Sequence, residues 1–189
     1  MIEALRRRPF TEQALLLSAL ASAALLLAAH LFERIGGLPP CPLCLDQREA
    51  HWAALAVSVA GLAASMAFRA RVGAAAAVGA AALVYAVSAG LAFFHTGVEF
   101  GYWPGPASCA VGGAIVTDAT TLLEALGRKP ASPGCADAAW RLFGVSMAGY
   151  NLLASAGLFA LTAAAALGAA RAERASRRAA PNPHPGPTP

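Results

Sequence analysis

The stretch VGAAAAVGAAALVYAVSAGLAFF, Val72 to Phe94, holds no Lys, Arg, Asp or Glu and opens directly after Arg69-Ala70-Arg71. A helix of roughly 20 apolar residues crosses a bilayer, and this run meets that length. Three other stretches read the same way: Ala14 to Phe32, Trp52 to Phe68 and Phe143 to Ala170, all without a Lys, Arg, Asp or Glu. Extending the second to include its more polar start gives expected spans of about 14–32, 45–68, 72–94 and 143–170. The chain is 58% hydrophobic and 13% charged, too apolar for an ordinary water-soluble domain. Lipid is its expected solvent.

Ala, Gly and Ser fill these spans, and small side chains let helix backbones approach closely where lipid supplies no hydrophobic drive for association. The fold class expected is an all-α membrane protein, an antiparallel four-transmembrane-helix bundle occupying residues 1–170 as a single domain. Arg69-Ala70-Arg71 leaves room only for a tight hairpin between the second and third spans. The remaining loops cover about 33–44 and 95–142. In the second of these, Ala114 to Leu126 places Ile115, Ala119, Leu122, Leu123 and Leu126 at helical spacing, which predicts a short amphipathic helix packed on the bundle or lying on the membrane. Residues 171–189 form a basic tail that becomes Pro-rich, expected to be disordered.

Positive residues near span ends favour the cytoplasmic side. Nine of the Lys and Arg residues (Arg6, Arg7, Arg8, Arg69, Arg71, Arg171, Arg174, Arg177, Arg178) fall on one side and five (Arg34, Arg48, Arg128, Lys129, Arg141) on the other. Both termini are therefore expected in the cytoplasm and both longer loops outside it. The first span also has the layout of a signal peptide, but without a clear small-residue cleavage site it reads as an uncleaved anchor. The net charge of +4 sits in juxtamembrane clusters rather than on one folded face, which argues against nucleic acid as a partner.

All four cysteines then share one side. Cys41-Pro-Leu-Cys44 follows Gly36-Gly37-Leu38-Pro39-Pro40, which cannot continue a helix. The second helix is predicted to start near Pro42, a residue suited to the first helical position. Cys44 then lies in the first turn, where free N–H groups and the helix dipole favour a thiolate, and Arg48 follows one turn later on the same face. Three readings compete for this CxxC: a structural disulfide, a metal half-site and a redox-active pair. Zinc is disfavoured because Cys109 and Cys135 do not form a second CxxC and no spaced His pair completes a ligand set. A bridge across three positions stabilises little, which favours reversible chemistry. Cys109 and Cys135 fit a loop-closing structural disulfide, worth roughly 3 kcal/mol in the chain-entropy model. The turns Pro104-Gly105-Pro106 and Pro133-Gly134 beside them equally suggest exposed cysteines open to a partner protein.

The segment PCPLCLDQR, with Cys41, Cys44 and Arg48, resembles the active segment of the disulfide bond formation protein B (DsbB) family of bacterial inner-membrane thiol oxidases. Two further blocks agree with it: HTGVEFGYWPGP from His95, and CADAAWRLFGVSMAGYN from Cys135 to Asn151. The resemblance implies a four-helix enzyme that reoxidises a periplasmic DsbA-like dithiol oxidase and passes the electrons to a membrane quinone, ubiquinone or menaquinone. It implies that the partner attacks Cys109, that Cys135 exchanges with Cys41, and that Cys44 faces the quinone. Arg48 matches the family's quinone-binding arginine and His95 its histidine near the quinone. An oxidant as strong as DsbA, at about −120 mV, needs an acceptor more oxidising than glutathione, which a quinone supplies.

His95 and Glu99 are candidates to relay protons, although an interfacial histidine facing water reads equally well from the residues alone. His51 shares a face with Cys44 and Arg48 and fits a pocket wall or a half-buried interface residue. Trp52, Tyr102, Trp103, Trp140 and Tyr150 fall near span ends, where aromatic belts are usual. Two alternatives accompany the general oxidase reading: a dedicated relative serving one special DsbA-like partner, and a non-enzymatic four-span scaffold with structural disulfides.

Overall fold

A computed structural model describes residues 8–68, 71–109 and 134–179. Four long helices account for most of them: α1 (Phe10–Arg34), α2 (Pro42–Phe68), α3 (Arg71–Glu99) and α4 (Met147–Ala179). Each is long and apolar enough to cross a membrane, and the bundle is an all-α, four-span membrane fold. Among the described residues between α3 and α4 are a 3-10 turn, Ala107–Cys109, and a minimal hairpin of β1 (Arg141–Leu142) and β2 (Val145–Ser146). The expected amphipathic helix at 114–126, residues 1–7, the Arg69-Ala70 link and the last ten residues lie outside the described residues.

The helices close into a ring, α1 against α2, α2 against α3, α3 against α4, and α4 back against α1. Contacts fix their senses as alternating. Leu15 near the start of α1 lies at Gly61 late in α2, and Gly61 faces Ala77 early in α3. A Cβ on Gly61 would overlap the Ala77 methyl, so this crossing depends on glycine. Ala74 and Val78 of α3 pack with Ala165 of α4 at one end of the bundle, whereas Cys41, Leu43, Val98 and Cys135 cluster at the other.

The distribution of side chains is inverted relative to a water-soluble bundle. Leu17, Leu20, Leu27, Leu83, Val87, Leu153 and Leu167 face outward, while Ser18, Ser22, Ser58, Ser88, Ser155 and Thr162 are buried. Lipid is as apolar as leucine, so the helices gain by pointing leucine outward and by turning the hydroxyls of Ser22, Ser88, Ser155 and Thr162 inward to hydrogen-bond. Ser88 and Ser155 join α3 to α4 at 2.9 Å, and Thr162 bonds back to the Leu158 carbonyl at 2.7 Å.

Both ends of α4 differ from the sequence reading. The fourth helix starts at Met147, because Phe143 and Gly144 both take positive φ (50° and 80°) and form the two-residue turn of the β1–β2 hairpin. Ser146 then caps α4, its Oγ accepting the Gly149 N–H at 3.1 Å. At the other end, residues 171–179 are helical rather than a disordered tail. Ala and Arg are strong helix formers there, and Glu173 pairs with Arg177 one turn on at 2.8 Å.

Candidate active site

Cys41 is the N-cap of α2: its carbonyl accepts the Leu45 N–H at 3.1 Å, and Pro42 occupies the first helical position. The chain reaches it through Gly37, whose φ of 65° lets the backbone turn sharply after α1. Capping has a consequence for the thiols. The first-turn N–H of Cys44 points to Cys41 Sγ at 3.3 Å, and Cys44 itself lies in the first turn of the helix, where its spacing had placed it. The two sulfurs lie 2.8 Å apart and are not bonded to each other. The hydrogen bond with Cys44, followed by burial, holds the Cys41 thiol well above the ordinary range, so a proton shared by the pair rests on Cys41.

The second pair is joined as a Cys109–Cys135 disulfide. Trp103 folds the chain back after α3: it donates to the Phe94 carbonyl at 2.8 Å and lies flat over Gly97, where a Cβ would collide with its ring. The short 3-10 turn follows, bringing Cys109 against Gly105 and Val98. The two cysteines are unequal in access. Pro106, Ala107 and Ser108 are exposed and Cys109 is half-buried, but Cys135 is only 1% exposed. The expectation of two reachable cysteines is thus corrected to one, because Cys135 packs inward against Cys41 and Val98.

That inward packing brings the pairs together. Cys41 Sγ, Cys135 Sγ and a ring nitrogen of His95 lie within 4.8 Å of one another. Three such donors resemble a partial metal site, but the Cys135 sulfur is held in a disulfide and offers no thiolate. His95 sits in the last turns of α3 with Nε2 3.6 Å from Cys41 Sγ and 3.9 Å from Glu99 Oε1. The helix continues through Glu99, whose carboxylate is buried with Oε2 unpartnered among the described residues.

Beside the thiols opens a cavity of about 330 Å³. Leu25, Leu26 and Phe32 of α1 and Trp140 of the hairpin approach give it apolar walls, while Cys44, Arg48, His95 and Glu99 supply polar groups. This size and chemistry suit a planar ring with carbonyl groups. Arg48 does not point freely into the space. Its guanidinium pairs with Glu33 and donates to the Ala29 carbonyl at 3.1 Å, tying α2 to the end of α1. His51 also lines the cavity and is buried, bonded to Asn151 Oδ1 at 2.7 Å. Trp140 and Tyr150 line it too, their rings 6.0 Å apart; Tyr102 is exposed.

Sequence reasoning missed Glu33, Gln47 and Asn151. Gln47 lies between His95 and Asn151, bonded to them at 2.8 Å and 2.6 Å. A signal was present for Asn151, since a polar amide inside an otherwise apolar span is costly unless it has a purpose.

Residues 11–165 match the family model described as disulfide bond formation protein DsbB. No curated relative and no solved structure matches the chain.

Proposed function

Because the chain belongs to the DsbB family, whose members are membrane oxidoreductases of disulfide formation, we propose that it reoxidises a periplasmic DsbA-like dithiol protein at the expense of a membrane quinone. The observation that carries this reading is the approach of Cys41, Cys135 and His95 within 4.8 Å, which sets two cysteine pairs in exchange range beside a cavity.

The partner's thiolate attacks Cys109, the more accessible sulfur; the Cys109–Cys135 bond breaks and its electron pair leaves on Cys135. When Cys41 and Cys44 are joined, the Cys135 thiolate attacks Cys41, and the pair passes to Cys44. The partner's second thiol displaces Cys109 and departs as a disulfide. Once the Cys109 thiolate displaces Cys41 from Cys135, a bound quinone would take up the two electrons and two protons given up by the Cys41–Cys44 dithiol as that disulfide re-forms. Arg48 is the residue that would orient the quinone oxygens, and His95, lining the same cavity with Glu99 beside it, would exchange a proton. Ubiquinone and menaquinone both fit this scheme. The cysteine end of the bundle faces the periplasm in this proposal, with both termini in the cytoplasm.

Purified protein in lipid nanodiscs, given a reduced DsbA-like partner and a soluble quinone, tests the proposal by quinone absorbance. Catalytic loss of the quinone band is expected, and Cys44→Ser should abolish it. Absence of quinone reduction, or unchanged turnover in Cys44→Ser, would sink the reading.

A further inference from the structure

A line of buried side chains, with half-buried Asn151 among them, crosses all four helices and ends on Cys41. The Tyr85 and Ser22 hydroxyls meet at 2.8 Å, and Ser22 Oγ lies 3.3 Å from His51 Nδ1. His51 Nε2 is 2.7 Å from Asn151 Oδ1, and Asn151 Nδ2 is 2.6 Å from Gln47 Oε1. Gln47 Nε2 lies 2.8 Å from His95 Nδ1, and His95 Nε2 3.6 Å from Cys41 Sγ.

One backbone atom fixes the sense of the key step. Gln47 Nε2 also lies 3.2 Å from the Leu43 carbonyl, which can only accept a hydrogen bond. That end of the amide must therefore be the nitrogen. Its two hydrogens go to Leu43 O and to His95 Nδ1, so Nδ1 accepts and carries no proton. A neutral His95 then has its hydrogen on Nε2, aimed toward Cys41 Sγ and the Glu99 carboxylate. The other end of the amide is equally determined. Gln47 Oε1 accepts from Asn151 Nδ2, leaving Asn151 Oδ1 to accept from His51 Nε2 and, at 3.3 Å, from Ser155. Every amide and imidazole in the line thus has one consistent orientation, with the donors directed toward Cys41.

We propose that Gln47 is a positioning residue that holds His95 as the Nε2–H tautomer and so presents a fixed N–H donor to the Cys41 sulfur. The donor acts in the return exchange, a step that rests on the thiol-oxidase reading. There the Cys109 thiolate attacks Cys135 of a Cys41–Cys135 disulfide. The Cys109–Cys135 bond forms, the Cys135–Cys41 bond breaks, and the electron pair leaves on Cys41 Sγ, facing the His95 N–H. Charge-assisted hydrogen bonds are the strong ones, so a donor already in place favours Cys41 as leaving group. Asn151 and His51 brace Gln47 from behind, which explains why such polar residues are kept inside a lipid-facing bundle.

Histidine-¹⁵N NMR of the full chain in nanodiscs reads the tautomer without requiring turnover. The expected wild-type signature for His95 is a bare Nδ1 and a protonated Nε2. Gln47→Glu, whose carboxylate can only accept when ionised, should move the proton to Nδ1; Gln47→Leu should release the ring to a mixture. Conversion of a trapped Cys41–Cys135 disulfide to Cys109–Cys135, followed by acid quench and mass spectrometry, should slow about tenfold in Gln47→Leu. A protonated Nδ1 in the wild type would overturn the proposal without any variant. So would a wild-type rate of conversion in a Gln47→Leu protein whose tautomer has changed. Failure of quinone reduction with the expected tautomer would instead indict the oxidase reading alone.

Discussion

At the scale of single residues, Cys41 and Cys44 divide the work of one motif. Cys41 caps the helix, takes the Cys44 N–H and keeps the proton, because its thiol is held above the ordinary range by the Cys44 sulfur and by burial. A raised thiol value means less thiolate at any pH below it, so Cys41 should react slowly with alkylating reagents under conditions where an ordinary thiol, near about 8.5, reacts readily. Site-resolved mass spectrometry of the reduced protein alkylated at pH 8 should find Cys44 modified before Cys41; Cys41 modified first would contradict this. Arg48 presents a second residue-scale expectation. Its charge is shared with Glu33, and Arg48 borders the cavity. Arg48→Ala should raise the KM for quinone while leaving partner thiol exchange near the wild-type rate. An unchanged KM would remove Arg48 from the quinone site.

At the scale of elements, the helix ends and crossings do the positioning. The β1–β2 hairpin and the Ser146 cap decide where α4 begins, and hence where Asn151 and Tyr150 meet the cavity. Ser146→Ala removes that cap and should cost about 1 kcal/mol of stability, measured by denaturation in micelles. Gly61→Leu should be more damaging, about 1–3 kcal/mol, since even a Cβ there meets the Ala77 methyl and the α2–α3 crossing must open. A neutral Gly61→Leu would mean that the helices cross elsewhere. Reading these elements from sequence succeeds unevenly for a physical reason. Hydropathy marks apolar runs, yet the start of α4 depends on two positive-φ residues and a cap, and the helical continuation to Ala179 on polar helix formers.

At the scale of the whole molecule, all four cysteines gather at one end of an alternating bundle, at the start of α2 and in the loop between α3 and α4. Their side of the membrane is open to direct test. After reduction of intact spheroplasts, a membrane-impermeant thiol reagent should label Cys109, the more exposed member of its pair, and labelling only after lysis would reverse the proposed orientation. The four spans were legible in local composition, because a bilayer demands long apolar segments and rejects charge from each one separately. The cysteines and Arg48 were legible as motif residues, and His95 through the family blocks around it. What sequence could not show was which polar groups meet: Gln47 and Asn151 are 104 positions apart, Cys41 and His95 54. Those encounters depend on how four helices rotate about their axes. Hydropathy along the chain requires that the helices cross the membrane, whereas only their packing decides which buried donor finds which acceptor.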